Sequence, residues 1–178
     1  MKKNVLEKYV TVGLFGTCGN STFRKEIMIP AFEKAGVSYF NPQVEDWTPE
    51  CAKEEAKHLA NDAIICFPVT GETYGTGSLA ETGFSVVSAI NNSKSSKIIL
   101  MIDEDVDEGL KAADPVAAKE SLRARALVLA HIQELNLANV YIVSTIEQMT
   151  ELAIILYGAA QAEYKAAQLE KVYAPVEA

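Results

Sequence analysis

Two runs, "AIICFPV" (63–69) and "KIILMI" (97–102), are apolar at nearly every position, the mark of strands covered on both faces. Shorter β-rich segments stand at "YVTVGLF" (9–15), "VSYFNP" (37–42) and "NVYIV" (139–143). Helical spacing fills the gaps between them. "TFRKEIMIPAFEKAG" (22–36) places Ile27, Phe32 and Ala35 toward a core and closes on Gly36 as a C-terminal cap. "TPECAKEEAKHLAN" (48–61) opens with Thr48 as N-cap and Pro49 at the first helical position. Further helices run through "AETGFSVVSAIN" (80–91), from Asp114-Pro115 through "VAAKESLRARALVLAHIQEL", and through 144–170.

Five strands alternating with helices predict an α/β protein with a parallel sheet, since parallel neighbours need helical crossovers. The expected architecture is a flavodoxin-like, Rossmann-like three-layer sandwich with strand order 2-1-3-4-5. In that order a ligand crevice opens at the carboxyl ends of the first and third strands. The loops "GTCGNSTFR" and "TGETYGTGS" flank it.

Composition narrows the function. A chain of 178 residues, 49% apolar, is expected to form one domain over 1–178. Its formal net charge of -8 argues against a nucleic-acid polymer as partner. No run reaches membrane-span length and no leader pattern opens the chain. Three widely spaced cysteines, Cys18, Cys51 and Cys66, make neither a disulfide framework nor a zinc site, so a cytoplasmic location is the expectation. The acidic "DEDVDEG" (103–109) lacks EF-hand spacing and reads as a solubilising loop, and no metal is expected. In the last helix, about 145–170, Met149, Leu152, Ile155 and Leu156 form an apolar stripe that suits either a homo-oligomer interface or the chain's own sheet.

The stretch "TGETYGTGSLAETG" (70–83) admits three readings. Gly75, Thr76, Gly77 and Ser78 open a G-x-G-x-x-A match that would cradle phosphate, although that fingerprint belongs on the first strand–helix turn. Ser78 and Glu81 also fit a capping box, and the same pattern recurs at Ser144 and Glu147. Alternatively Glu81, in the first helical turn and kept ionised by the helix end, faces the crevice as a nucleophile toward a sugar.

Around the crevice, Gly16, Cys18, Ser21, Thr22 and Arg24 follow the first strand, and the hydroxyls and Arg24 suit a phosphate or a sugar hydroxyl. Asn41, Gln43, Asp46 and Trp47 follow the second: Asp46 suits a base or sugar hydroxyl, and Trp47 suits stacking or packing. No histidine stands near Cys18, while His58 and His131 read as helix residues, so a thiol enzyme is not expected. Arg123 and Arg125 read as a solvated face.

The segments "GTCGNSTFRKEIMIPAFEKAGVSYFNPQVEDWTPE" and "NDAIICFPVTGETYGTGSLAETGFSV" resemble the nucleoside 2-deoxyribosyltransferase-like family over about the first hundred residues. The resemblance implies that Glu81 is the nucleophile, that Glu54 (or Glu55, with a one-residue slip) is a helper carboxylate, and that a neighbouring subunit completes the site. Where many members of that family carry Asp or Ser, this chain has Gly75, leaving Tyr74, Thr76 or Ser78 to handle a proton. The implied activity is cleavage or exchange of the base of a 2′-deoxynucleoside or its 5′-monophosphate through a Glu81–deoxyribosyl ester, with a free base as second partner and no cofactor. The alternative is a non-catalytic module that binds a nucleotide.

Overall fold

Ile64–Val69, buried at every position, forms the middle strand of the sheet. A computed structural model describes residues 10–46, 48–91 and 96–173. The strands are β1 (Val12–Leu14), β2 (Tyr39–Phe40), β3 (Ile64–Val69), β4 (Lys97–Ile102) and β5 (Val140–Ile142). They form a parallel sheet in the order β2-β1-β3-β4-β5, as the alternation of signals predicts. Register sets Val12 against both Tyr39 and Ile64, and Ile64 against Lys97.

The helices are α1 (Ile29–Ala35), α2 (Pro49–Asn61), α3 (Thr76–Asn91), α4 (Glu108–Ala113), α5 (Pro115–Leu135) and α6 (Ile146–Val172); a wide π-type turn, Arg24–Met28, leads into α1. Side chains alternate across a strand, so β3 feeds two cores. Ile64 and Cys66 meet Phe32 of α1 and Met149, Ala153 and Tyr157 of α6. Ile65 and Phe67 meet Val86 of α3 and Ile132 of α5, with Leu59 of α2 at the margin.

Several local expectations change. Phe32 is buried and Ile27 packs at the core edge, but Ala35 is exposed, one step past the inward stripe. Gly36 closes α1 in the left-handed conformation as expected. Thr48 precedes α2 in an extended conformation without a side-chain bond to the helix amides. The acidic stretch is partly helical: α4 begins in it, and Lys111 bonds Asp105 at 2.7 Å and Glu108 at 2.8 Å. At α6 the cap is Thr145, which accepts from the Gln148 amide, while the Gln148 side chain accepts from the Ser144 amide, so the Ser144–Glu147 capping box does not form. Met149 of the apolar stripe belongs to the chain's own core and Leu152 and Leu156 pack beside it, while Ile155 is exposed. No described helix is long and apolar enough to cross a membrane.

Asp62, between α2 and β3, is wholly buried, with His58 Nδ1 at 2.9 Å from its carboxylate. Burial pushes the Asp62 carboxyl up to about 6, against the opposing pull of His58. The fold therefore prefers the protonated acid. That contribution is fully present below the ordinary value of 3.8 and is lost as pH rises through about 6. A gap of about two pH units amounts to roughly 3 kcal/mol. Denaturant titrations should show Asp62→Asn gaining on wild type by roughly that amount between about pH 4 and about pH 7.5. A constant difference across the window would refute the assignment.

Candidate functional site

The sheet reverses its winding between β1 and β3, and there the carboxyl-end loops part to leave an open cleft of about 1270 Å³. Its walls are the loop after β1 with Lys25 and Ile29 beyond it, the loop after β2, Glu55 of α2, and the turn that starts α3. Of the residues singled out in the sequence, Gly16, Cys18, Ser21, Thr22, Asn41, Gln43, Tyr74, Gly75, Thr76, Gly77, Ser78 and Glu81 line it. Arg24, Asp46 and Glu54 do not, and Trp47 lies outside the described residues. Lys25 and Glu55 line it as well.

Glu81 sits in the second turn of α3, because the helix begins at Thr76 and the Leu79 amide already bonds the Gly75 carbonyl at 2.9 Å. Ser78 is thus the third helical residue, not a cap, and the Ser78–Glu81 capping box does not form. The Glu81 carboxyl is partly buried and faces the cleft. Burial and, secondarily, the Glu55 carboxylate raise it above the ordinary glutamate value. This reverses the expectation that the helix end keeps it readily ionised: one turn from the terminus that field has largely faded.

The second carboxylate is Glu55, not Glu54. Glu54 is 53% exposed and paired with Lys57 at 3.1 Å and His58 at 3.5 Å. In α2 the less exposed residues include Cys51, Glu55, His58 and Leu59, a stripe at i, i+4, i+7 and i+8. Apolar spacing alone would have favoured the stripe Ala52, Ala56, Leu59 and Ala60, so the sequence does not single out Glu55.

Arg24 is unavailable to a ligand. It is fully buried, and its guanidinium donates to the carbonyls of Leu14 (2.9 Å), Phe15 (2.7 Å), Gly16 (3.3 Å) and Thr17, and to Ser21 Oγ. It therefore shapes the loop after β1 from within. Arg125 does the same for the facing loop. It too is buried, 1% exposed, and donates to the carbonyls of Val69 (3.0 Å), Thr70 (2.9 Å), Thr73 (2.9 Å) and Asp103 (2.9 Å). The solvated-face reading holds only for Arg123, which is 73% exposed.

Other side chains are likewise committed to the walls. Gln43 Nε2 donates to the Gly19 carbonyl at 2.8 Å, Asn41 Oδ1 accepts from the Gln43 amide, and Thr22 donates to Glu26. Tyr74 donates its hydroxyl to the Leu110 carbonyl at 3.0 Å, which removes it from proton handling in the cleft. The Cys18 sulfur lies 3.8 Å from Arg24, yet burial and the carboxylates of Glu55 and Glu81 outweigh that cation and hold the thiol above its ordinary value. It is no activated nucleophile. Among the described residues, no group of three or more His, Cys, Asp or Glu is arranged to hold a metal ion.

Two glycines are dictated by this packing. At Gly16, with φ of +91°, a Cβ would stand 2.3 Å from the Pro68 carbonyl oxygen, so the β1 and β3 loops touch only because it is absent. At Gly75, with φ of +66°, a Cβ would meet Val69 Cγ1 at 2.8 Å and Arg125 Nη2 at 3.2 Å. No acid or hydroxyl side chain fits at Gly75. Gly75→Ala should cost roughly 2–4 kcal/mol, from left-handed strain and overpacking together. Gly77→Ala, whose Cβ meets nothing within 4 Å, should be neutral or slightly stabilising; equal melting points for the two variants would contradict the geometry.

Fold and site together define a flavodoxin-like α/β protein with a carboxylate-bearing cleft at its topological switch point. No family model matches the chain, and no curated protein matches it. A solved structure that aligns with it is a TIR domain from the RPS4 and RRS1 TIR domain heterodimer, at 11% identity and a TM-score of 0.47, over 83% of this chain and 97% of that one. The resemblance to the nucleoside 2-deoxyribosyltransferase-like family is thereby corrected: no family model and no curated protein supports it, and the solved structure named above is a TIR domain. Glycine- and hydroxyl-rich loops after β1 and β3 are what any switch-point cleft of this sheet requires, so they do not identify a family.

Proposed function

We propose that the cleft breaks the N-glycosidic bond of a 2′-deoxynucleoside, with Glu81 as nucleophile and Glu55 as the proton-handling carboxylate. The observation that carries this reading is the pair itself: Glu81 and Glu55 face one cleft and Glu55 raises Glu81 electrostatically. Ionised Glu81 attacks C1′, the C1′–N bond breaks, and the base leaves with the bonding pair and takes up a proton from water in the open cleft. Water, or a second free base, then attacks C1′ and gives up its proton to the Glu55 carboxylate, while the ester C1′–O bond breaks and restores the Glu81 carboxylate. A missing 2′-hydroxyl lowers the cost of positive charge at C1′, so two carboxylates suffice. The open cleft admits water and favours hydrolysis over exchange in the single chain.

Charge favours an uncharged nucleoside over its 5′-monophosphate. Glu45, Glu55 and Glu81 line the cleft, Lys25 is the only lysine or arginine lining it among the described residues, and Arg24 is spent on carbonyls. The same facts disfavour a phosphate-binding module, as does the Gly75 amide, which already donates to Thr73 Oγ1 at 3.1 Å.

Incubation with each 2′-deoxynucleoside, with and without a second base, followed by chromatography, should show free or exchanged base. A 2-fluoro-arabino analogue should leave a sugar-sized mass on the peptide containing Glu81. Absence of turnover with every nucleoside and monophosphate would end the proposal.

A further inference from the structure

Glu54 and Glu55 are one residue apart, and a rotation of α2 by about 100° would exchange them at the cleft. Something must set that rotation. Partial burial of Leu59 against the second core contributes, but α2 buries none of its side chains completely. A more specific attachment is His58. Its ring stacks on Phe40 at 3.8 Å between centroids and 4° between planes. Its Nδ1 lies 2.9 Å from the carboxylate of fully buried Asp62, and its Nε2 lies 3.5 Å from Glu54. Phe40 in turn touches Phe15, and Phe15 touches Phe67 of β3, at centroid distances of 6.0 and 5.5 Å. An aromatic chain thus runs from the middle strand, over β1 and β2, to one imidazole on α2.

We infer that His58 is a positioning residue: by stacking on Phe40, with its ring held by Asp62 at the helix's own C-terminal end, it locks α2 to the sheet and aims Glu55, one turn away on the same face, into the cleft beside Glu81. It touches no substrate and acts only through Glu55. The inference rests on the proposed role of the Glu81–Glu55 pair, but its test needs no turnover.

The reporter is the Glu81 carboxyl, followed by carbon-detected NMR titration of the ligand-free protein. Glu55→Gln sets the scale, lowering the Glu81 midpoint by whatever the Glu55 charge contributes. His58→Leu, which keeps the bulk but loses the ring and its polar bonds, should lower the midpoint toward the Glu55→Gln value although Glu55 is still present. His58→Gln serves the same purpose should the leucine variant fold poorly. His58→Phe, which restores the stack on Phe40, should return the midpoint toward wild type. A wild-type midpoint in a folded His58→Leu or His58→Gln protein would overturn the inference. In turnover assays, adding His58→Leu to Glu55→Gln should cost nothing further in kcat. A full additional loss there would also overturn it, because His58 would then act other than through Glu55.

Discussion

Glu81→Gln is expected to slow base release on the order of 10⁴-fold or more, the scale of losing a nucleophile from a site whose other parts still bind. Glutamine keeps the volume and the hydrogen-bonding reach of the side chain and removes only its ability to form the ester. Binding of the nucleoside should therefore survive, and so should the melting temperature. Glu54→Gln, on the outward side of α2, should leave the rate within a small factor of wild type. The pH profile carries the same argument. Burial first, and Glu55 second, raise Glu81, and only the ionised form attacks. kcat/KM should consequently rise with pH through a midpoint above the ordinary glutamate value. Glu55→Gln should move that midpoint down even while it slows the reaction. A Glu81→Gln enzyme with wild-type turnover would place the chemistry elsewhere.

Arg125→Met should be among the most damaging changes to the fold. The guanidinium serves four backbone carbonyls, of Val69, Thr70, Thr73 and Asp103. At about 1 kcal/mol for each lost bond, and more where a buried acceptor stays unpaired, the loss is roughly 4 kcal/mol or more. For a chain of this length that lowers the melting temperature by roughly 8–16 °C. Arg123→Met, two residues earlier on the same helix, should change it hardly at all. Scanning calorimetry of the pair decides the matter, and similar small shifts for both would mean that water replaces the guanidinium without loss. Because Arg125 also borders Gly75, the turn that launches α3 should loosen with it, so Arg125→Met should lose activity at temperatures where it is still folded.

The stripe in α2 shows what kind of error sequence reasoning makes here. Glu54 and Glu55 are chemically the same, and only helical phase separates them; apolar spacing points to Ala52, Ala56, Leu59 and Ala60, whereas the folded helix turns Cys51, Glu55, His58 and Leu59 inward. The two arginines are a deeper case. Arg24 and Arg125 look like surface cations, because charged side chains are seldom wholly buried without a partner of opposite charge. What receives them is a ring of carbonyls, and carbonyls leave no trace in a sequence: every residue has one. Likewise the Ser78–Glu81 pattern matched a cap, but the helix start was set by a left-handed Gly75 and the wall of Val69 and Arg125 behind it.

The chain by itself determined five strands and all the connecting helices but α4, because burial on two faces, alternation and helical spacing are one-dimensional patterns; the strand order followed from how such units wind. It also determined where a cleft must open, since strand order alone creates the switch point. Only the tertiary structure decided which carboxylates meet there, which arginines vanish into the loops and which hydroxyls are already bonded. Those outcomes depend on groups brought together from as many as 56 positions apart, as Arg125 and Val69 are, and on backbone atoms that every sequence shares.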